Sequence, residues 1–127
     1  MKVFHYTDIA TERQVECPKR GFTSYRLLLK DDGMGFTVTR TTVYPTKDFQ
    51  KWHYKNHLEA CYCIKGHGIL KDASGKQYKI EPGSFYALNK NDKHFFKAQE
   101  VVILLCVFNP PLVGQETHGK DGSYAVK

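Results

Sequence analysis

The sequence predicts an all-β fold, a sandwich or barrel of short strands, and two observations carry the prediction. β-branched and aromatic runs alternate with Gly, Pro, Asn and Asp clusters about every 8 to 12 residues, and no stretch of ten residues makes a convincing helix. At 127 residues the chain is expected to be one domain, 1–127, able to bury roughly two-thirds of its unfolded surface without disulfide or metal staples. Any bound metal is therefore expected to serve function and not folding.

Residues 1–20 are mixed and polar, with Ala10-Thr11-Glu12-Arg13 a short helical turn and Cys17-Pro18-Lys19-Arg20-Gly21 a bend. Ser24 to Leu29 is the first expected strand. Lys30 to Gly35 is a glycine-rich turn, and Phe36 to Val43, dense in Thr and Val, the second strand. A third run covers Trp52 to Ile64. Gly68 to Lys71 and Gln77 to Ile80 flank the hairpin loop Asp72-Ala73-Ser74-Gly75. Glu81-Pro82-Gly83 then turns the chain into Ser84 to Leu88. Asn89-Lys90-Asn91-Asp92 predicts a second hairpin, which would set Tyr86 opposite His94 on Lys93 to Phe96. Val101 to Phe108 is the last strand, stopped by Asn109-Pro110-Pro111, whose prolines cannot donate to a ladder.

The net charge is +6, but the lysines are scattered and no nucleic-acid-reading motif accompanies them, so no nucleic-acid partner is expected. The longest apolar run, Val101 to Phe108, is far short of the roughly 20 residues of a membrane span, and Met1 to Asp8 lacks the apolar core of a signal peptide. No membrane partner and a cytoplasmic location are expected. The four cysteines, Cys17, Cys61, Cys63 and Cys106, read as small buried hydrophobes of a reducing compartment, because Cys61 and Cys63 stand two apart on one strand and cannot easily pair.

The chemistry concentrates in His53-Tyr54-Lys55-Asn56-His57-Leu58-Glu59. Continued as a strand, this segment sets His53, His57 and Glu59 on one face with Cys61 and Cys63, and imidazoles beside a carboxylate suit a first-row metal. The pattern resembles the first cupin motif: paired histidines, then Glu59, six residues and Gly66. The second cupin motif ends in Pro-x-Gly, two residues and His, whereas here Pro82-Gly83 is followed by two residues and Tyr86. Either the metal site is lost, or the Tyr86 phenolate replaces an imidazole and His94 supplies the nitrogen. A phenolate is a hard ligand and would favour iron.

Four further blocks resemble the ectoine synthase branch of the cupins: Arg26 to Phe36, His53 to Ala60, Tyr86-Ala87-Leu88, and Cys106-Val107-Phe108-Asn109-Pro110-Pro111. They run in family order and the likeness covers nearly the whole chain. The resemblance implies a jelly-roll barrel with short N- and C-terminal extensions, a homodimer, and Fe(II) held by Glu59, Tyr86 and His94. It implies cyclisation of N-γ-acetyl-L-2,4-diaminobutyrate, an acetylated diamino acid, to the compatible solute ectoine with loss of water. Family positions that contact substrate fall on Phe22, Arg26, Thr39, Thr41, His57, Cys106 and Phe108, while Tyr54, Glu116 and His118 are implied in the chemistry. Phe22 stands where the family usually has tryptophan, and Thr39 where Asn or His is more usual. These two departures keep open a second reading, a cupin that binds ectoine or a related solute without converting it.

The reaction needs a neutral α-amine to attack an amide carbon of the same molecule. A Lewis acid would polarise the amide and a tight pocket would hold the folded conformer. Arg26 is the expected bidentate clamp for the substrate carboxylate. Glu116 and His118, in the polar segment Gly114 to His118, are expected to serve as acid/base or lid residues.

Overall fold

Strand alternation builds two sheets whose inner faces meet. The computed structural model describes residues 1–114 and Glu116. Its strands are β1 (Gln14–Cys17), β2 (Phe22–Leu28), β3 (Thr37–Val43), β4 (Gln50–Trp52), β5 (Leu58–Lys65), β6 (Gly68–Asp72), β7 (Gln77–Ile80), β8 (Phe85–Leu88), β9 (His94–Ala98) and β10 (Val102–Asn109). They form a six-stranded antiparallel sheet, β1-β2-β3-β10-β5-β8, and a four-stranded one, β4-β9-β6-β7. This is the expected jelly-roll. Among the described residues the helices are single 3-10 turns, and none is long and apolar enough to cross a membrane.

Alternation decides what lies inside. On β10, Val102, Leu104, Cys106 and Phe108 are buried while Leu105 and Val107 face out. On β9, His94, Phe96 and Ala98 are the buried set. Trp52 stands where the sheets meet, stacked on Phe96 with centroids 5.8 Å apart and edge-on to Phe22 at 6.3 Å. Such buried aromatic pairs add roughly 0.5–1.5 kcal/mol each beyond their area burial.

Three expectations are corrected. The polar segment Gln14–Cys17 forms an edge strand on β2, pairing Gln14 with Tyr25 through Cys17 with Phe22. With Val15 its fully buried side chain, it carries little alternation to read. The run from Trp52 to Ile64 is not one strand: β4 belongs to the small sheet, β5 to the large one, and residues 53–57 link them. The period-two argument therefore holds for Glu59, Cys61 and Cys63 but does not reach His53 or His57, which lie in the link before β5.

The hairpin expected at residues 89–92 does not form. β8 pairs with β5, whereas β9 pairs with β4 and β6, so this link also crosses between sheets. Asn91 makes the crossing. Its backbone is left-handed at φ 53°, which asparagine tolerates, and its side-chain amide donates to the carbonyls of Tyr54 (3.0 Å), Lys55 (3.3 Å) and His57 (3.1 Å). The two crossings are thus tied to one another.

Candidate active site

The large sheet aligns its inward side chains in rows, because directly paired residues of antiparallel strands point the same way. One row runs Arg26, Thr39, Cys106, Cys61, Tyr86 across five strands. The next runs Thr37, Phe108, Glu59, Leu88. These rows and the small sheet enclose a narrow cavity of about 20 Å³, room for little more than a water molecule. Phe22, Thr39, Thr41 and Phe108 line it, together with Tyr54, Glu59, Tyr86 and Cys106. Residues scattered over 86 sequence positions, singled out from sequence alone, therefore converge on one space.

Other expected residues stand behind this wall. His94 reaches it from β9, its ring 6.4 Å from that of Tyr86 and 6.0 Å from those of Tyr54 and Trp52. His57 is buried edge-on to Phe108 at 6.3 Å. Arg26, 0% exposed, is outside the lining: its guanidinium donates to the carbonyl of Gly114 at 2.7 Å and to that of Glu116. The Glu116 carboxylate lies 3.7 Å from Arg26 and accepts the backbone N–H of Val113 (2.7 Å) and of Gly114 (2.8 Å). Arg26 thus clamps the chain's own C-terminal segment. His118 lies outside the described residues.

Ser24, Trp52 and Leu104 also line the cavity and were not anticipated. Ser24 was within reach of the period-two rule, since it lies between Phe22 and Arg26 on β2. Trp52, the chain's single tryptophan, gave no such signal because its strand belongs to the other sheet.

Burial sets the protonation states. It pushes the Glu59 carboxyl up to about 7, although interactions with the Cys61 and Cys106 thiols pull it the other way. It raises the Tyr86 phenol well above its ordinary value, with the neighbouring Cys61, Glu59 and Cys106 adding to the effect. It lowers His94 to about 4, so this imidazole is neutral at physiological pH. Burial also opposes the charge on Glu116, but the backbone N–H groups and Arg26 outweigh it and hold that carboxyl below its usual range. Glu116 is accordingly held ionised, with both carboxylate oxygens engaged by backbone N–H groups.

His94 carries a fixed tautomer. Its Nδ1 lies 3.0 Å from the carbonyl of Asp92, and a carbonyl can only accept, so Nδ1 bears the proton and Nε2 the lone pair. Nε2 is buried and has no hydrogen-bond partner among the described residues. A neutral imidazole whose second nitrogen is shielded from water, with the Tyr86 ring 6.4 Å away, is a nitrogen donor of the kind that metals take up.

The ectoine synthase family model matches residues 1–127. An L-ectoine synthase of Hyphomonas neptunium is 48% identical over 120 residues, covering 92% of this chain and 87% of its own. That of Teredinibacter turnerae is 47% identical over 115 residues, covering 90% and 86%. The crystal structure of ectoine synthase from P. lautus superposes with a TM-score of 0.81 at 38% identity, covering 89% of this chain and 80% of that one. The Clostridium difficile EutQ protein, at 17% identity and a TM-score of 0.63, shares the fold alone, over 75% of this chain and 66% of its own.

Proposed function

The chain belongs to the ectoine synthase family, and from that premise we propose that it closes N-γ-acetyl-L-2,4-diaminobutyrate into ectoine with loss of water. In this reading Glu59, Tyr86 and His94 hold Fe(II), and the work is done in the cytoplasm. The observation that carries the metal assignment is the buried, lone-pair-bearing Nε2 of His94 beside Tyr86. Iron bound there would supply a Lewis acid able to polarise an amide carbonyl.

The chain's own residues do the rest. Phe22, Trp52, Tyr54 and Phe108 wall the cavity with aromatic surface, excluding water from a condensation that water reverses. Opened to admit the substrate, a pocket between these walls would favour the folded conformer in which the α-amine meets the amide carbon. Thr39 and Thr41, whose hydroxyls are 2.9 Å apart, offer a polar edge to orient the amino-acid end. The Tyr54 hydroxyl, on the same wall, is the group to hand a proton to the departing oxygen. Arg26 serves by anchoring the segment that carries Glu116, and substrate carboxylate is received only in exchange for those bonds.

The active form is a homodimer. Leu105, Tyr62 and Phe85 are cross-strand neighbours on the outer face of the large sheet, and Leu58, Ile64 and Val107 extend their exposed apolar surface. A contiguous patch of this kind suits a second copy of the same chain about a two-fold axis.

The test is to strip the protein of metal, reload it anaerobically with ferrous iron, add the acetylated diamino acid and follow ectoine by chromatography. Iron-dependent ectoine is expected. An iron-loaded, folded protein that yields none would overturn the synthase reading and favour the solute-binding one, to which the Phe22 and Thr39 departures in the cavity wall point.

A further inference from the structure

We propose that Glu59, Cys61 and Cys106 form a second, sulfur-bearing site for a thiophilic divalent cation such as zinc. Because it shares Glu59, and the neighbouring Tyr86, with the iron site, only one of the two can be filled at a time. The mutual exclusion rests on the iron reading; the site itself does not.

A ligand oxygen of Glu59 and the sulfurs of Cys61 and Cys106 all lie within 4.8 Å of one another, and all three residues are buried. The two sulfurs are 3.6 Å apart. Tetrahedral zinc with Zn–S bonds near 2.3 Å holds its sulfurs roughly 3.8 Å apart, so the observed spacing is close to that of a bound pair. A disulfide needs about 2.05 Å and would require the strands to shift.

The spacing is built by sheet register and not by a loop. Cys106 and Cys61 are directly opposed on β10 and β5, and Glu59 follows on the same face two residues away. Tyr86, paired with Cys61 on β8, would bring its phenol oxygen as a fourth donor. Glu59 and Cys106 both line the cavity, so an ion has a route in.

Ligand softness separates the two sets. Phenolate, imidazole and carboxylate suit iron, whereas two thiolates and a carboxylate suit zinc and cobalt. Binding displaces the two thiol protons to solvent and leaves the sulfurs as thiolates, with no change in oxidation state. Zinc generally outcompetes ferrous iron for mixed sites, so an equivalent of zinc on the sulfur set withdraws Glu59 and blocks iron uptake.

The probe is Co(II), titrated anaerobically into the metal-free protein. A near-ultraviolet sulfur-to-cobalt charge-transfer band saturating at one ion per chain is expected. It should be bleached by zinc, lost in Cys61→Ala and in Cys106→Ala, and retained in His94→Ala, which should no longer bind iron. Circular dichroism checks the fold of each variant. Zinc-edge X-ray absorption on the wild-type protein reads the sulfur count with no substitution at all. Wild-type protein without the band, a zinc shell without sulfur, or a band that survives loss of both cysteines overturns the proposal. Failure of the cobalt-free, iron-loaded protein to make ectoine, when the band does form on its metal-free counterpart, would sink the synthase reading alone.

Discussion

Tyr86 and His94 come from different sheets, yet their ring centroids stand 6.4 Å apart. The pairing is made by the meeting of two inner faces and not by a hairpin, so each residue is held by its own ladder: Tyr86 against Cys61, His94 against Trp52 and Asp72. A metal bridging them would staple the two sheets as well as activate a substrate. His94→Ala and Tyr86→Phe should each weaken ferrous iron binding at least about 100-fold, a loss at the upper end of what disturbing even an outer-shell partner causes. Metal analysis after gel filtration measures it, and wild-type iron content in either variant would exclude that residue as a ligand.

Asn91 ties the two sheet crossings through three carbonyls. Asn91→Ala should cost roughly 2–4 kcal/mol, since it orphans the bonds to Tyr54 and His57 and places a side chain with little taste for φ 53°. Asn91→Gly keeps the backbone and isolates the hydrogen-bond part. Urea unfolding of the pair separates the contributions, and equal midpoints for Asn91→Gly and wild type would remove the amide from the account.

Gly66 follows β5 with φ +91°, and a Cβ built there would lie 2.1 Å from the carbonyl oxygen of Val101 and 2.8 Å from the Cα of Val102. Both neighbours are backbone and cannot swing aside. Gly66→Ala should therefore destabilise by about 2–4 kcal/mol through strain and forced displacement of the start of β10. Thermal unfolding tests this.

Asp32 accepts from Arg13 at 2.9 and 3.3 Å, from Lys2 at 2.5 Å and from the backbone of Leu29 at 2.8 Å. The Arg13 bond, then that of Lys2, holds its carboxyl well below the usual carboxylate range. The unfolded chain then binds this proton first as pH falls. The stability contributed is present above roughly pH 4 and is lost on further acidification. Asp32→Asn should lower stability at neutral pH and flatten the acid side of the profile; an unchanged acid slope would refute the assignment.

Phe22 is 2% exposed and packs edge-on to Trp52. Restoring the tryptophan that the family favours there must overfill this corner, because Trp52 already occupies the adjoining space. Phe22→Trp should cost roughly 1–3 kcal/mol and shrink the cavity, whereas a Trp52 variant of smaller volume should tolerate it better. A double-mutant cycle on melting temperatures reads the coupling, and simple additivity would argue against it.

What the sequence determined by itself was whatever rests on short-range pattern. The strand bodies from Phe36 to Val43 and from Val101 to Phe108, the hairpin at Asp72 to Gly75 and the shared face of Glu59, Cys61 and Cys63 follow from alternation and turn chemistry over a few residues. Resemblance carried the choice of Phe22, Thr39, Thr41, Tyr54 and Phe108, which the fold brings to one cavity. The tertiary structure alone decided which strands share a sheet. Alternation reads the same whether Leu88 leads into a hairpin or across to the opposite sheet, so the placement of His94 against Tyr86 was invisible locally, as was the entry of Trp52 into the wall. It likewise decided that Arg26 holds Glu116, a contact across 90 residues that no period encodes. It also set the Cys61 to Cys106 spacing, which depends on the register of two strands far apart in the chain.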